Sequence, residues 1–120
     1  MRIFKSNRFN DFAKRESLSD KSLKAVVKAL EEGQADADLG GGVFKQRLAK
    51  LGGGKSGGCR LIIFFKKGAR VFFIYGFPKS ERENITRVEL RNAKRLAKIL
   101  LNLTEEQLDA ELNAGGFMEI

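Results

Sequence analysis

Apolar residues recur along this chain with two different periods, and the points where the period changes divide it into elements. Between Ser19 and Gly33, Leu23, Val26, Val27 and Leu30 fall at helical spacing. Ser19 stands where it can cap, Asp20 complements the positive end of the first turn, and Gly33 can end the helix. Upstream, Phe9, Phe12 and Ala13 predict a shorter helix that starts near Asn7, after an extended beginning. Residues 36–42 read as a loop.

At residues 43–49 the period becomes two. Val43, Lys45, Arg47 and Ala49 fall on one side and Phe44, Gln46 and Leu48 on the other, the pattern of a half-buried strand whose basic residues share a face. A glycine-rich turn over 51–58 leads into two runs, 59–66 and 70–77, rich in β-branched and aromatic residues. Lys67-Gly68-Ala69 joins them as a tight hairpin, so three consecutive antiparallel strands are expected. Thr86 and Glu89 then form a capping box ahead of Leu90, Ala93, Ala97, Leu100 and Leu101 at helical spacing. Thr104 with Gln107 opens another short helix through Leu112, closed by Gly115-Gly116, and the tail 117–120 can add an edge strand. The expected fold is a single α+β domain over residues 1–120, with N-terminal helices packed on a small antiparallel β-sheet and C-terminal helices after it.

Charge changes the picture more than composition does. The net charge is +8, but residues 1–44 carry 8 basic and 7 acidic side chains and residues 83–120 carry 5 basic and 7 acidic. Residues 45–82 carry 10 basic and 1 acidic, which concentrates the excess on one stretch and points to a polyanionic partner. The lone Cys59 cannot pair within the chain, no apolar run approaches the length of a membrane span, and the N-terminus lacks the apolar stretch of a signal peptide. A cytoplasmic protein is expected.

The chain has no histidine, which removes His-dependent triads and His-based metal sites. No Asp/Glu cluster has metal-site spacing, so neither metal nor cofactor is assigned, and Cys59 reads as a small apolar residue within a strand. Gly54-Lys55-Ser56 is not a P-loop, because Ala49 stands where its first glycine belongs and a strand follows. What remains is a cationic set: Lys45 and Arg47 on one strand, Lys55 in the loop, Arg60 opening the next strand, and Lys79 and Arg82 after the third. Arginine offers phosphate a planar fork and lysine a point charge.

Three segments carry a family resemblance: 36–47 (DADLGGGVFKQR), 54–60 (GKSGGCR) and 75–84 (YGFPKSEREN). Together they resemble the RelE/HigB toxins of type II toxin–antitoxin systems. The resemblance implies an mRNA endoribonuclease that enters the ribosomal A site, cleaves the bound message and is held in check by an antitoxin protein that also binds DNA. It implies site roles for Lys45 and Arg47 on the first meander strand, for Arg60 on the second, and for Lys79 and Arg82 after the last. Ser80 and Ile85 depart from the pattern, which has an arginine and a tyrosine there, so acid and base stay open.

In RNA cleavage of this kind the 2′-hydroxyl attacks the adjacent phosphate, which needs a base, cations and an acid for the leaving 5′-oxygen. Lys45, Lys55 and Lys79 are the candidates for proton transfer, and Arg47 and Arg60 suit charge stabilisation, on strand faces expected to point at solvent and RNA. Arg82, Asn84 and Tyr75 are candidate RNA contacts, the direction of Tyr75 being undecided by strand alternation. Two other readings share the basic face: a ParE-like toxin of DNA gyrase and a non-catalytic RNA-binding module.

Overall fold

The computed structural model describes residues 1–49, 58–82 and 84–120. The elements run β1 (Arg2–Ser6), α1 (Asn7–Arg15), α2 (Asp20–Glu31), β2 (Ala37–Gly40), β3 (Val43–Ala49), β4 (Gly58–Lys66), β5 (Arg70–Pro78), α3 (Arg87–Leu100), α4 (Glu105–Asn113) and β6 (Phe117–Glu119). Every helix starts on a hydroxyl cap: Ser6, Ser19, Thr86 and Thr104 each accept a hydrogen bond from a first-turn backbone N–H. The last two are full capping boxes, closed by Glu89 and Gln107.

The sheet is larger than the sequence suggests and it is mixed. Among the described residues six strands lie in the order β2-β3-β4-β5-β1-β6, with β1 parallel to β5 and the other pairs antiparallel. The extended start becomes β1, whose partner β5 is some seventy residues away, a pairing that local periodicity does not encode. Residues 36–42, expected as a loop, contain β2 and a turn instead. Asp and Gly are poor strand formers, and the strand is held by non-local bonds: Gln46 Oε1 accepts from the Asp36 N–H at 3.1 Å and an Asp36 carboxylate oxygen accepts from the Arg47 N–H. Gly42, at φ +83°, closes the turn where a Cβ would meet Leu101 Cδ1 at 2.5 Å. The tail forms the edge strand β6, as its apolar residues suggest.

The helices occupy both faces of this sheet, not one. Phe9, Phe12, Leu23, Val26, Val27 and Leu30 of α1 and α2 pack on Leu61, Ile63, Phe65, Val71 and Phe73. Ala93, Ala97, Leu100 and Leu108 of α3 and α4 pack on Phe4, Val43, Ile62, Phe64 and Phe72. A strand buried on both faces needs no polar alternation, which is why β4 reads as the unbroken run Leu61-Ile62-Ile63-Phe64-Phe65. Among the described residues, no helix is long and apolar enough to cross a membrane.

Candidate nucleic-acid interface

The register of β3, β4 and β5 sets the site. Lys45 lies opposite Ile62 and Ile62 opposite Tyr75; one step along, Arg47 lies opposite Arg60 and Arg60 opposite Phe77. Opposed residues share a face, so these six form two adjacent rows on the α3/α4 side of the sheet. Tyr75 is there because of a bulge. The β4/β5 register shifts between Ile62 and Ile63, so that Ile74 is the extra residue and Tyr75 turns to the face it would otherwise have left. The same shift turns Gly76 towards α1, where a Cβ would lie 2.2 Å from the Phe12 ring.

Within the rows the cations differ in surroundings. Arg47 is exposed, and Lys45 donates to Asn84 Oδ1 at 2.7 Å, which ties the strand to the segment ahead of α3. Arg60 does not point freely into solvent as expected: it is only 8% exposed. Its Nε is buried with no hydrogen-bond partner among the described residues. A second buried arginine on the same face makes the contrast plain. Arg70, 7% exposed, donates to the carbonyls of Leu100 and Leu103 at 3.3 and 2.8 Å and to Glu105 at 3.0 Å. Arg70 is a structural clamp between β5 and the α3–α4 connection, whereas Arg60 is a buried cation left incomplete, an arrangement that costs free energy unless an anion completes it.

The remaining candidates lie around the rows. Arg82 stacks over Phe77 at 4.9 Å and donates to both Glu89 oxygens at 2.8 and 2.9 Å, so its charge is already compensated. Lys79 follows β5, its N–H bonded to the Gly58 carbonyl at 3.0 Å at the mouth of β4. Lys55 and most of the expected 51–58 turn lie outside the described residues. Cys59 is buried on the α1/α2 side, away from the rows, as its apolar reading requires. Sequence reasoning missed Arg8, whose guanidinium lies 5.1 Å from the Tyr75 ring centroid, and Phe77. The spacing of Arg8, Phe12 and Arg15 along one face of α1 was the available signal.

Glu89 joins the site to the start of α3. The Thr86 N–H is the largest influence and holds its carboxyl below the usual carboxylate range; burial, next in size, opposes it, and the Arg82 guanidinium adds to the lowering. A lowered native pKa contributes stability that is present above the unfolded value near 4.5 and is lost as pH falls through the native value. Glu89→Gln should therefore flatten the fall of stability below about pH 4.5. Urea midpoints for both proteins across that range check it.

The fold and this face define a small α+β protein with a sheet surface suited to binding a polyanion. The family model for the RelE toxin of the RelE/RelB toxin–antitoxin system matches residues 1–120, and the chain belongs to that family of toxins. No curated protein matches it.

Proposed function

We propose that the chain is a ribosome-dependent mRNA endoribonuclease that halts translation until its antitoxin binds it. The observation that carries this reading is Arg60: a buried guanidinium with an unpartnered Nε, set in a row with the exposed Arg47 and beside Lys45. An RNA phosphate laid on these rows supplies the missing anion. It also places the group that gains charge in the transition state against cations fixed in advance by the fold.

In the proposed reaction the substrate's 2′-hydroxyl attacks the neighbouring phosphorus and the bond to the 5′-oxygen breaks, giving a 2′,3′-cyclic phosphate and a 5′-hydroxyl. Arg47 and Arg60 stabilise the charge on the phosphoryl oxygens. Lys45, held by Asn84, takes the 2′-hydroxyl proton when it is the neutral amine, and Lys79, as the ammonium, supplies one to the leaving oxygen, with Lys55 a further candidate for either task. The nucleophile belongs to the substrate and the cations to side chains, so the route calls for no metal or cofactor. Tyr75, Asn84 and Arg82 contact the RNA beside the cut. The antitoxin, a DNA-binding protein in this reading, presents an acidic or amphipathic segment to the basic face.

Mapping transcript 5′ ends after induction in growing cells tests the function. New ends within translated codons, suppressed when the antitoxin is co-expressed, are expected; early DNA damage with intact messages would favour gyrase poisoning. Binding to programmed ribosomes should also weaken steeply with salt, because phosphate contacts by several of the ten basic residues in 45–82 release counterions. A dissociation constant unchanged between about 50 and 200 mM salt would count against the interface.

A further inference from the structure

Beyond Phe73, strand β5 has no strand beside it on the β1 side among the described residues. The β1 pairing ends at Lys5 opposite Phe73, and α1 takes over the space, with Phe12 against Gly76. In the notch between α1, the bare edge of β5 and the start of α3 lies a cavity of about 260 Å³, lined among others by Arg8, Arg15, Tyr75, Phe77, Glu81 and Arg82. Small-molecule pockets begin at about 300 Å³, so this one has room for a single flat group rather than a length of chain.

We infer that this notch is a nucleobase subsite that takes one unstacked base of the RNA whose phosphate lies on Arg60; the inference rests on the RNA-cleavage reading and extends it to α1. Three features favour a base over a second phosphate. Three of the side chains in its otherwise charged wall are aromatic, Phe12, Tyr75 and Phe77. The Arg8 guanidinium over the Tyr75 ring makes a ready platform, since bases splayed from single-stranded RNA stack on aromatic rings and on guanidinium planes alike. Finally, Glu81 and Glu89 also line the notch; carboxylates there repel a phosphate, whereas a base N–H can donate to Glu81.

The distance suits a neighbouring nucleotide. Tyr75 and Phe77 stand in the same rows as Lys45 and Arg60, and β3 and β5 are two strand spacings apart, roughly 10 Å. Among the described residues no carboxylate pairs with Arg8 or Arg15, so both remain available to the strand as it enters.

Cleavage on programmed ribosomes, with a single abasic nucleotide walked through the A-site codon and its flanks, tests the subsite. For the wild-type chain one abasic position should raise the half-saturating protein concentration about 10-fold, the effect of losing one stacked base, while the rate at saturation changes little. Arg8→Ala should weaken binding to intact mRNA by a similar factor and lose its response to that abasic position. Tyr75→Leu should do the same, and because Arg8 is exposed its variant stays informative even if Tyr75→Leu misfolds. Efficient cleavage of every abasic message by the wild type, or an abasic penalty undiminished in Arg8→Ala, overturns the subsite and leaves the nuclease reading standing. Failure of the wild type to cleave intact mRNA overturns both.

Discussion

Replacing Arg60 with Met should lower single-turnover mRNA cleavage about 10²–10³-fold and at the same time raise the melting temperature by several degrees. The two effects have one cause. Arg60 is 8% exposed and its Nε has no hydrogen-bond partner among the described residues, so the apo protein bears the desolvation of a donor left unpaired. Methionine fills similar space without that charge and should pack among Ile62, Phe77 and the α3/α4 side of the core. Cleavage falls because the preorganised donor to the phosphoryl oxygens is gone. Arg60→Lys should recover only part of the rate, since a point charge does not replace the fork. Opposite movements of stability and rate distinguish a functional cation from a structural one. Thermal melts with cleavage assays on the same preparations read both.

Arg70→Ala is the counter-experiment, and there stability should collapse. Arg70 is as buried as Arg60 but satisfied, and its removal strips the Leu100 and Leu103 carbonyls and Glu105 of their donor while opening a gap behind β5. A loss of about 2–4 kcal/mol, or roughly 10 °C in melting temperature, is expected. At a temperature where the variant is still folded, its cleavage rate per folded molecule should stay near wild type, because Arg70 lies outside the Lys45 and Arg47 rows. A large rate loss in folded Arg70→Ala would mean that this arginine also belongs to the site.

The two experiments bear on what could be seen in the sequence. The helices were legible because capping residues and apolar spacing are local signals: Ser19, Thr86 and Thr104 cap where expected, and Leu23, Val26, Val27 and Leu30 are buried. The shared face of Lys45 and Arg47 was legible for the same reason, as strand alternation is a local rule. The parallel pairing of β1 with β5 and the strand β2 were not, since they depend on partners far along the chain and on side-chain bonds such as Gln46 to Asp36. The burial of Arg60 was not legible either, because alternation along β4 gives the face of a side chain and not how deeply that face is covered. Tyr75 depended on one extra residue at Ile74, and a bulge reverses every face assignment after it. Arg8 lies in a segment with near-zero net charge, far from the basic stretch, and reaches the site only through the fold.

The most direct test is to incubate the purified chain with programmed ribosomes and identify the ends of the products. A cut within the A-site codon that leaves a 2′,3′-cyclic phosphate and a 5′-hydroxyl is expected with wild type, reduced about 10²–10³-fold with a folded Arg60→Met protein. Uncut message across all codons, or equal cutting by the wild type and Arg60→Met, would contradict it.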